Sequence, residues 1–254
     1  MTSFADLHVP GTPLLLPNAW DHASAVALAG QGFAAIGTTS LGVAAAAGLP
    51  DGTAATRAET LLLARRLGGS GFLLSVDAEG GFSDDPAEVA EVARELADAG
   101  AVGINLEDGL ADGGLVPVAR QAAKIAAVKA AVPDLFVNAR TDTHWLGGRE
   151  GETRSRLDAY QAAGADGVFV PGLSDPDTIA ALVLDVGVPL NVLYAPTGPT
   201  VAQLGDLGVA RVSLGSLLFR VALSAALDTA AAIRSGGQVT ASARSYAEVQ
   251  HLSS

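Results

Sequence analysis

Three carboxylates and one guanidinium carry the chemistry open to this sequence. The stretch LLSVDAEGGFS at 73–83 ends an apolar run on Asp77 and Glu79. Successive strand side chains alternate faces, so the spacing predicts that these two project together. Buried carboxylates repel one another and lose hydration unless something positive sits beside them. VGINLEDG at 102–109 adds Glu107 and Asp108, and LFVNARTD at 135–142 adds Asn138, Arg140 and Asp142. Oxygen ligands without cysteine or a spaced histidine pair suit a hard cation, Mg2+ or Mn2+, with water and substrate completing the shell. The Arg140 fork suits a carboxylate or phosphonate gripped in two places. Metal and arginine together make a receptor for a small dianionic acid such as an α-keto acid, in which the metal stabilises an enolate. A plainer role stands beside each: a strand-end acid often caps a helix, and Arg140 could simply neutralise Glu107 as a buried pair.

Eight apolar runs position these groups, at 14–20, 33–40, 72–80, 102–109, 135–142, 167–172, 190–196 and 210–215. Amphipathic stretches alternate with them, such as PAEVAEVARELADAG, where Pro86 suits a first helical turn and Gly100 a stop. Strands alternating with helices make a parallel sheet, and at this length closure into a (β/α)8 TIM barrel is the expected solution. An open doubly wound sheet is the alternative, but no Gly-x-Gly-x-x-Gly corner follows a strand. In a barrel the working residues stand at the C-terminal strand ends. Those ends read Asn18 and Asp21, Thr38 to Leu41, Asp77 and Glu79, Glu107 and Asp108, Asn138 to Asp142, and Asn191. Asp84 and Asp85 before Pro86 read as helix caps, Trp20 as packing, and His144 as the one histidine placed to reach the mouth. The reading is one barrel domain over 1–254 with a helical tail from about 238.

The 254 residues are 49% hydrophobic and 17% charged, enough apolar material for a sizeable core. A formal net charge of −12 argues against nucleic-acid or anionic-membrane partners. The absence of cysteine excludes disulfides, thiolate metal ligands and a cysteine nucleophile. No basic-then-apolar leader opens the chain and no apolar run reaches membrane length, so a cytoplasmic location is expected.

Six phrases then fall in order: PNAWD (17–21), GVAAAAGLPDG (42–52), VDAEGGF (76–82), GINLEDG (103–109), VNARTD (137–142) and AGADGVFVPG (163–172). Through them the chain resembles the isocitrate lyase/phosphoenolpyruvate mutase superfamily along most of its length. The resemblance implies a barrel of that type, with the last helix exchanged between subunits of a dimer or tetramer. It implies Mg2+ (or Mn2+) and a small α-keto acid whose C–C or P–C bond is cleaved or formed through an enolate. The metal-site carboxylates fall on Asp77, Glu79 and Glu107, Glu79 standing where Asp is commoner, and the substrate arginine falls on Arg140. The turn that receives the substrate carboxylate falls on Thr39, Ser40 and Leu41. Asp51 follows as candidate general base or orienter of metal-bound water; from their strand-end positions, Asp77 and Asn191 are further candidate substrate contacts. The segment after Glu107, DGLADGGLVPVARQ, lacks the Lys-Cys-Gly-His phrase of the lyases and the Lys and Asn of the phosphonomutases. Pro171 stands where mutases keep a histidine. What remains suits decarboxylation or C–C cleavage of an oxaloacetate-like di-acid. The alternatives are a phosphonomutase or phosphonopyruvate hydrolase, and a catalytically silent α-keto acid binding protein.

Overall fold

Proline cannot donate to a strand ladder, and Pro17 divides the first apolar run into β1 (Leu14–Leu16) and β2 (Asn18–Ala19). β1 pairs with β9 (Arg211–Ser213) and β2 pairs with β3 (Ala35–Thr38), so one broken strand closes the sheet on itself. Between them run β4 (Leu73–Asp77), β5 (Ala101–Glu107), β6 (Phe136–Arg140), β7 (Gly167–Val170) and β8 (Leu190–Leu193). Every pairing is parallel, in the order β1-β9-β8-β7-β6-β5-β4-β3-β2. The chain is thus a (β/α)8 barrel; the computed structural model describes residues 3–239 and 242–253.

The helices follow their sequence signals. Asp21 and Ser24 form a capping box at α1 (His22–Ala29), which gives Asp21 a structural role. Asp85 accepts from the Ala87 N–H ahead of Pro86 in α4 (Pro86–Asp98), as Asp175 does from Thr178 in α7 (Pro176–Asp185). Asp84 is no cap: it faces Lys124 and Arg120 at 3.7 Å each. The others around the barrel are α2 (Ser40–Ala47), α3 (Arg57–Leu67), α5 (Val118–Ala131), α6 (Thr153–Ala162) and α8 (Val201–Asp206). Their apolar faces pack on the strands through residues such as Leu67, Leu96, Ile125 and Leu157, all essentially inaccessible.

The N-terminal end of the barrel is plugged by a short 3-10 turn, Ala5–Leu7. The His8 ring stacks on Phe136 at 4.3 Å, and the Phe4 ring meets Phe136 edge-on at 5.4 Å. A Cβ at position 103 would stand 2.8 Å from the Phe4 ring, which is why β5 carries glycine there. Burial pushes the His8 imidazole down to about 4, so it is neutral at pH 7.

After β9 the chain leaves the barrel. α9 (Leu217–Arg234) has no buried residue, and Val221, Leu223, Leu227 and Ile233 are all at least half exposed. Its first turn alone is anchored, by Phe219 edge-on against Trp20 at 5.5 Å. α10 (Tyr246–Gln250) lies in the expected tail, of which residues 240, 241 and 254 fall outside the described residues. Among the described residues no helix is long and apolar enough to cross a membrane.

Candidate functional site

A cavity of about 130 Å³ opens at the C-terminal end of the barrel, lined in part by Thr39, Ser40, Leu41, Asp51, Asp77 and Arg140. The first turn of α2 delivers the small-residue wall, where helical N–H groups lack intrahelical partners. The Ser40 N–H donates to Asp77 Oδ2 at 3.2 Å, and the Thr38 hydroxyl accepts from the Asp77 N–H at 2.9 Å. Asp77 Oδ1 is buried without a hydrogen-bond partner. An unsatisfied carboxylate oxygen costs free energy, so its place on a cavity wall marks a ligand position.

Arg140 is held from behind. Its Nε donates to Asp142 Oδ1 at 2.6 Å and its Nη2 to Asp142 Oδ2 at 3.0 Å, while Nη1 meets Glu107 Oε2 at 2.6 Å. Three of the five guanidinium donors are engaged, which leaves one N–H on each terminal nitrogen. Burial works against the charge, but Glu107, Asp142 and Asp77 outweigh it and hold Arg140 above its ordinary value. The Phe169 ring lies 5.8 Å from Arg140 Cζ and excludes water from one side.

Asp108 fixes this assembly. It accepts from the Tyr160 hydroxyl (2.6 Å), the Thr141 hydroxyl (2.8 Å), the Asp142 N–H (2.9 Å) and Arg156 Nη1 (3.1 Å). Arg156 and Tyr160 are four residues apart on α6, so one helical face ties the ends of β5 and β6 together. Removing Asp108 would leave Arg156 to Glu152 (2.8 Å) and the Val116 carbonyl (2.9 Å), and would loosen the backbone that carries Asp142.

Glu79 does not follow the strand alternation. β4 ends at Asp77, and Glu79 adopts a left-handed backbone with φ 48°, which turns its side chain from the cavity toward the segment before α3. There it accepts from the Ala54 N–H at 3.0 Å and from the Thr56 hydroxyl. Burial raises Glu79 and Asp51, with repulsion from Asp77 adding to both; a Ser40 hydrogen bond pulls Asp51 the other way. Burial also raises Glu107 against the pull of Arg140, and Asp77, Asp142 and Asp51 add repulsion. Asp77 and Asp51 therefore repel each other on the cavity wall, and Glu79 and Glu107 feel both from behind it.

Beneath the cavity lies a polar layer inside the barrel. Arg211 donates to Asn105 Oδ1 (3.2 Å) and Ser213 Oγ (3.1 Å), and Asn138 donates to the same Asn105 oxygen at 2.8 Å. Asn191 Nδ2 donates to Ser213 Oγ at 3.0 Å, which places Asn191 behind the wall and not on it. Asn18 seals the seam: its Nδ2 donates to Thr38 O at 2.7 Å and its Oδ1 accepts from Gly215 N–H at 2.9 Å. A Cβ at Gly37 would stand 2.7 Å from that Nδ2.

The sequence profile of the family described as phosphoenolpyruvate phosphomutase matches residues 4–234. The chain belongs to that family. An uncharacterized protein of Mycobacterium tuberculosis is 47% identical over 251 residues, 98% of this chain and 95% of that protein. A Burkholderia cenocepacia crystal structure, assigned as a phosphonomutase, superposes with a TM-score of 0.84 at 40% identity, covering 89% of this chain and 96% of that one. A 2-methylisocitrate lyase of Bacillus subtilis is 34% identical over 74% of this chain and 64% of its own length. An oxaloacetate decarboxylase of Paraburkholderia xenovorans is 33% identical over 64% of this chain and 58% of its own length.

Within this phosphoenolpyruvate phosphomutase-family barrel, the structure brings Thr39, Ser40, Leu41, Asp51, Asp77 and Arg140 to one cavity. Glu79, Glu107 and Asn191 do not line it: Glu79 is turned away by its backbone, Glu107 is spent on Arg140, and Asn191 supports Ser213. The mouth residue on the segment after β6 is Trp145, not His144. Sequence reasoning missed Arg211, Trp145 and the Asp108–Tyr160 hub; the i, i+4 pairing of Arg156 with Tyr160 was the one local signal for the hub.

The donors were tested for a divalent ion. Among the described residues no three His, Cys, Asp or Glu side chains converge as a ready-made metal site. One partnerless Asp77 oxygen with Asp51 beside it on the cavity wall nevertheless fits a hard ion that keeps most of its waters. Asp77 would be its direct ligand, and Asp51 on the same wall would act through water, while Glu79 and Glu107, both expected as ligands, stand behind the wall on partners of their own.

Proposed function

We propose that the protein is a divalent-cation-dependent lyase that acts on a small α-keto di-acid by breaking a C–C bond on the carbon next to the keto group, with loss of that carbon's carboxylate as CO2 from an oxaloacetate-like substrate as the leading reaction. One observation carries this reading: Asp77, with its free buried oxygen, and Arg140, with two free N–H donors, share one small cavity. A bound Mg2+ or Mn2+ would supply Lewis-acid stabilisation of the negative charge that develops when the bond breaks. Arg140 grips a substrate carboxylate with the N–H pair that Asp142 and Glu107 leave free. The first turn of α2 at Leu41 offers further N–H donors to carboxylate oxygens. Asp51, raised by burial and hydrogen-bonded to Ser40, carries the proton to or from the reacting carbon. Loss of CO2 needs an electron sink and no acid for a leaving group, which agrees with a 109–117 segment that brings no Cys, Lys or His to the site.

The assay offers oxaloacetate and phosphonopyruvate with Mg2+ or Mn2+. Turnover of oxaloacetate is expected; turnover of the phosphonate alone would replace this reading with the P–C one, which the Burkholderia phosphonomutase assignment favours. Binding of oxalate without any turnover would make the protein a silent keto-acid binder. The unpacked apolar faces of α9 support a homo-oligomer, dimer or tetramer, in which this helix packs on a neighbouring subunit. Light scattering on the eluting protein tests that: a monomer at micromolar concentration sinks it.

A further inference from the structure

The mouth cavity does not end at its charged walls. It shares Trp145, Leu193 and Ser216 with a second cavity of about 220 Å³, whose further walls include Leu173, Tyr194 and Leu214. No carboxylate lines this annex, and its one charged group, Arg220, donates through Nε to Ser216 Oγ at 3.2 Å. Trp145 stands at the junction with 57% of its surface exposed. The segment at 109–117 does not cover the opening. It folds back on itself through the Gly109–Leu115 bridge and the Leu110 N–H to Gly114 O bond (3.0 Å), and it borders a different cavity beside Glu79.

Size separates the two spaces. The charged cavity of about 130 Å³ suits a three- or four-carbon acid, while an apolar space near 150 Å³ already accepts benzene. At about 220 Å³ the annex is large enough for a phenyl or branched alkyl group. We infer that the substrate carries such an apolar substituent, of roughly four to seven carbons by that comparison, on the carbon next to the keto group. This inference rests on the keto-acid reading of the mouth. The reaction then balances as R–CH(COO⁻)–CO–COO⁻ plus H⁺ giving R–CH2–CO–COO⁻ plus CO2. The C–C bond to the departing carboxylate breaks, its electron pair passes to the enolate, and the proton ends on the carbon that bears R. Trp145 covers R on one face, and Leu193 and Leu214 receive it.

The product analogue 3-phenylpyruvate tests the annex without requiring turnover. Titration calorimetry with Mg2+ compares it with pyruvate and oxalate on the full chain. Each buried methylene equivalent is worth about fourfold in affinity, so 3-phenylpyruvate should bind at least tenfold tighter than pyruvate. Ala195→Phe, which fills the annex, should erase that advantage and leave pyruvate and oxalate within twofold. Ser174→Tyr fills it from an exposed position, should Ala195→Phe fail to fold. Binding of pyruvate and oxalate with no gain for 3-phenylpyruvate, or a gain that survives a folded filling variant, overturns this inference alone. Failure of all three ligands to bind overturns the keto-acid reading and this one with it.

Discussion

The two ends of the barrel bury ionisable groups in opposite ways. At the C-terminal mouth, charge is kept: Arg140 is surrounded by Glu107 and Asp142, and Asp77 retains a buried oxygen with no partner. Toward the N-terminal end, His8 gives its charge up: it is stacked on Phe136 and held neutral by burial and by the nearby Arg211. Keeping charge in a dry site is expensive, and a protein sustains it where a ligand is to be bound or a reaction run. Giving it up is what packing alone requires. The difference separates the end that works from the end that only holds.

Breaking the mouth should have the largest effect. Arg140→Ala removes two charge-assisted hydrogen bonds to substrate, so kcat/KM should fall by about 10²–10⁴-fold. It also leaves Glu107 and Asp142 without their cation, which should cost about 3–5 kcal/mol in urea denaturation. Asp77→Asn should weaken Mg2+ uptake in the presence of oxalate by roughly 100-fold, since even outer-shell losses cost 10–100-fold. Its melting temperature should change little, because relief of repulsion from the neighbouring acids is offset by lost attraction to Arg140 and Arg211; a marked fall would make Asp77 structural.

The opposite end is sharpened by pH. His8 has a folded value of about 4 against an ordinary 6.5, so the unfolded chain binds the extra proton between those limits. Stability should therefore fall as pH drops from 6.5 to 4, by up to about 3 kcal/mol from this residue. His8→Phe should abolish that part of the dependence and leave kcat at pH 7.5 unchanged; denaturation of both proteins at pH 7 and pH 4.5 gives the comparison. The smallest effect belongs to Thr56→Val, which takes one hydrogen bond from Glu79. A loss of about 1–2 kcal/mol is expected, with Mg2+ affinity changed less than by Asp77→Asn.

The barrel was legible because each strand is an apolar run closed by a polar corner and several helices carry their own caps, Asp85 ahead of Pro86 at the start of α4 being an example. Asp77, Arg140 and the Thr39–Leu41 turn were legible for the same reason, each standing at or just beyond a strand end, whereas Asp51 lies beyond α2 and was reached only through the family resemblance. Glu79 was misplaced because a two-residue period holds only while the backbone is extended, and the strand stops at Asp77. Arg211 opens a three-residue strand and reads as a solvent-facing start, yet it lies inside the barrel. Its partners Asn105 and Ser213 are set by closure of the sheet, which local sequence does not encode. Trp145 sits in a loop, where neither period applies.

The hub at Asp108 has a consequence for how such a protein can change. Because α6 braces the Arg140 guanidinium from behind, through Asp108 and Asp142, the segments that shape the entrance can be rewritten while the guanidinium stays in register. Selectivity for what is cleaved and competence to cleave it are therefore separable by mutation, and a new specificity could arise without passing through an inactive protein.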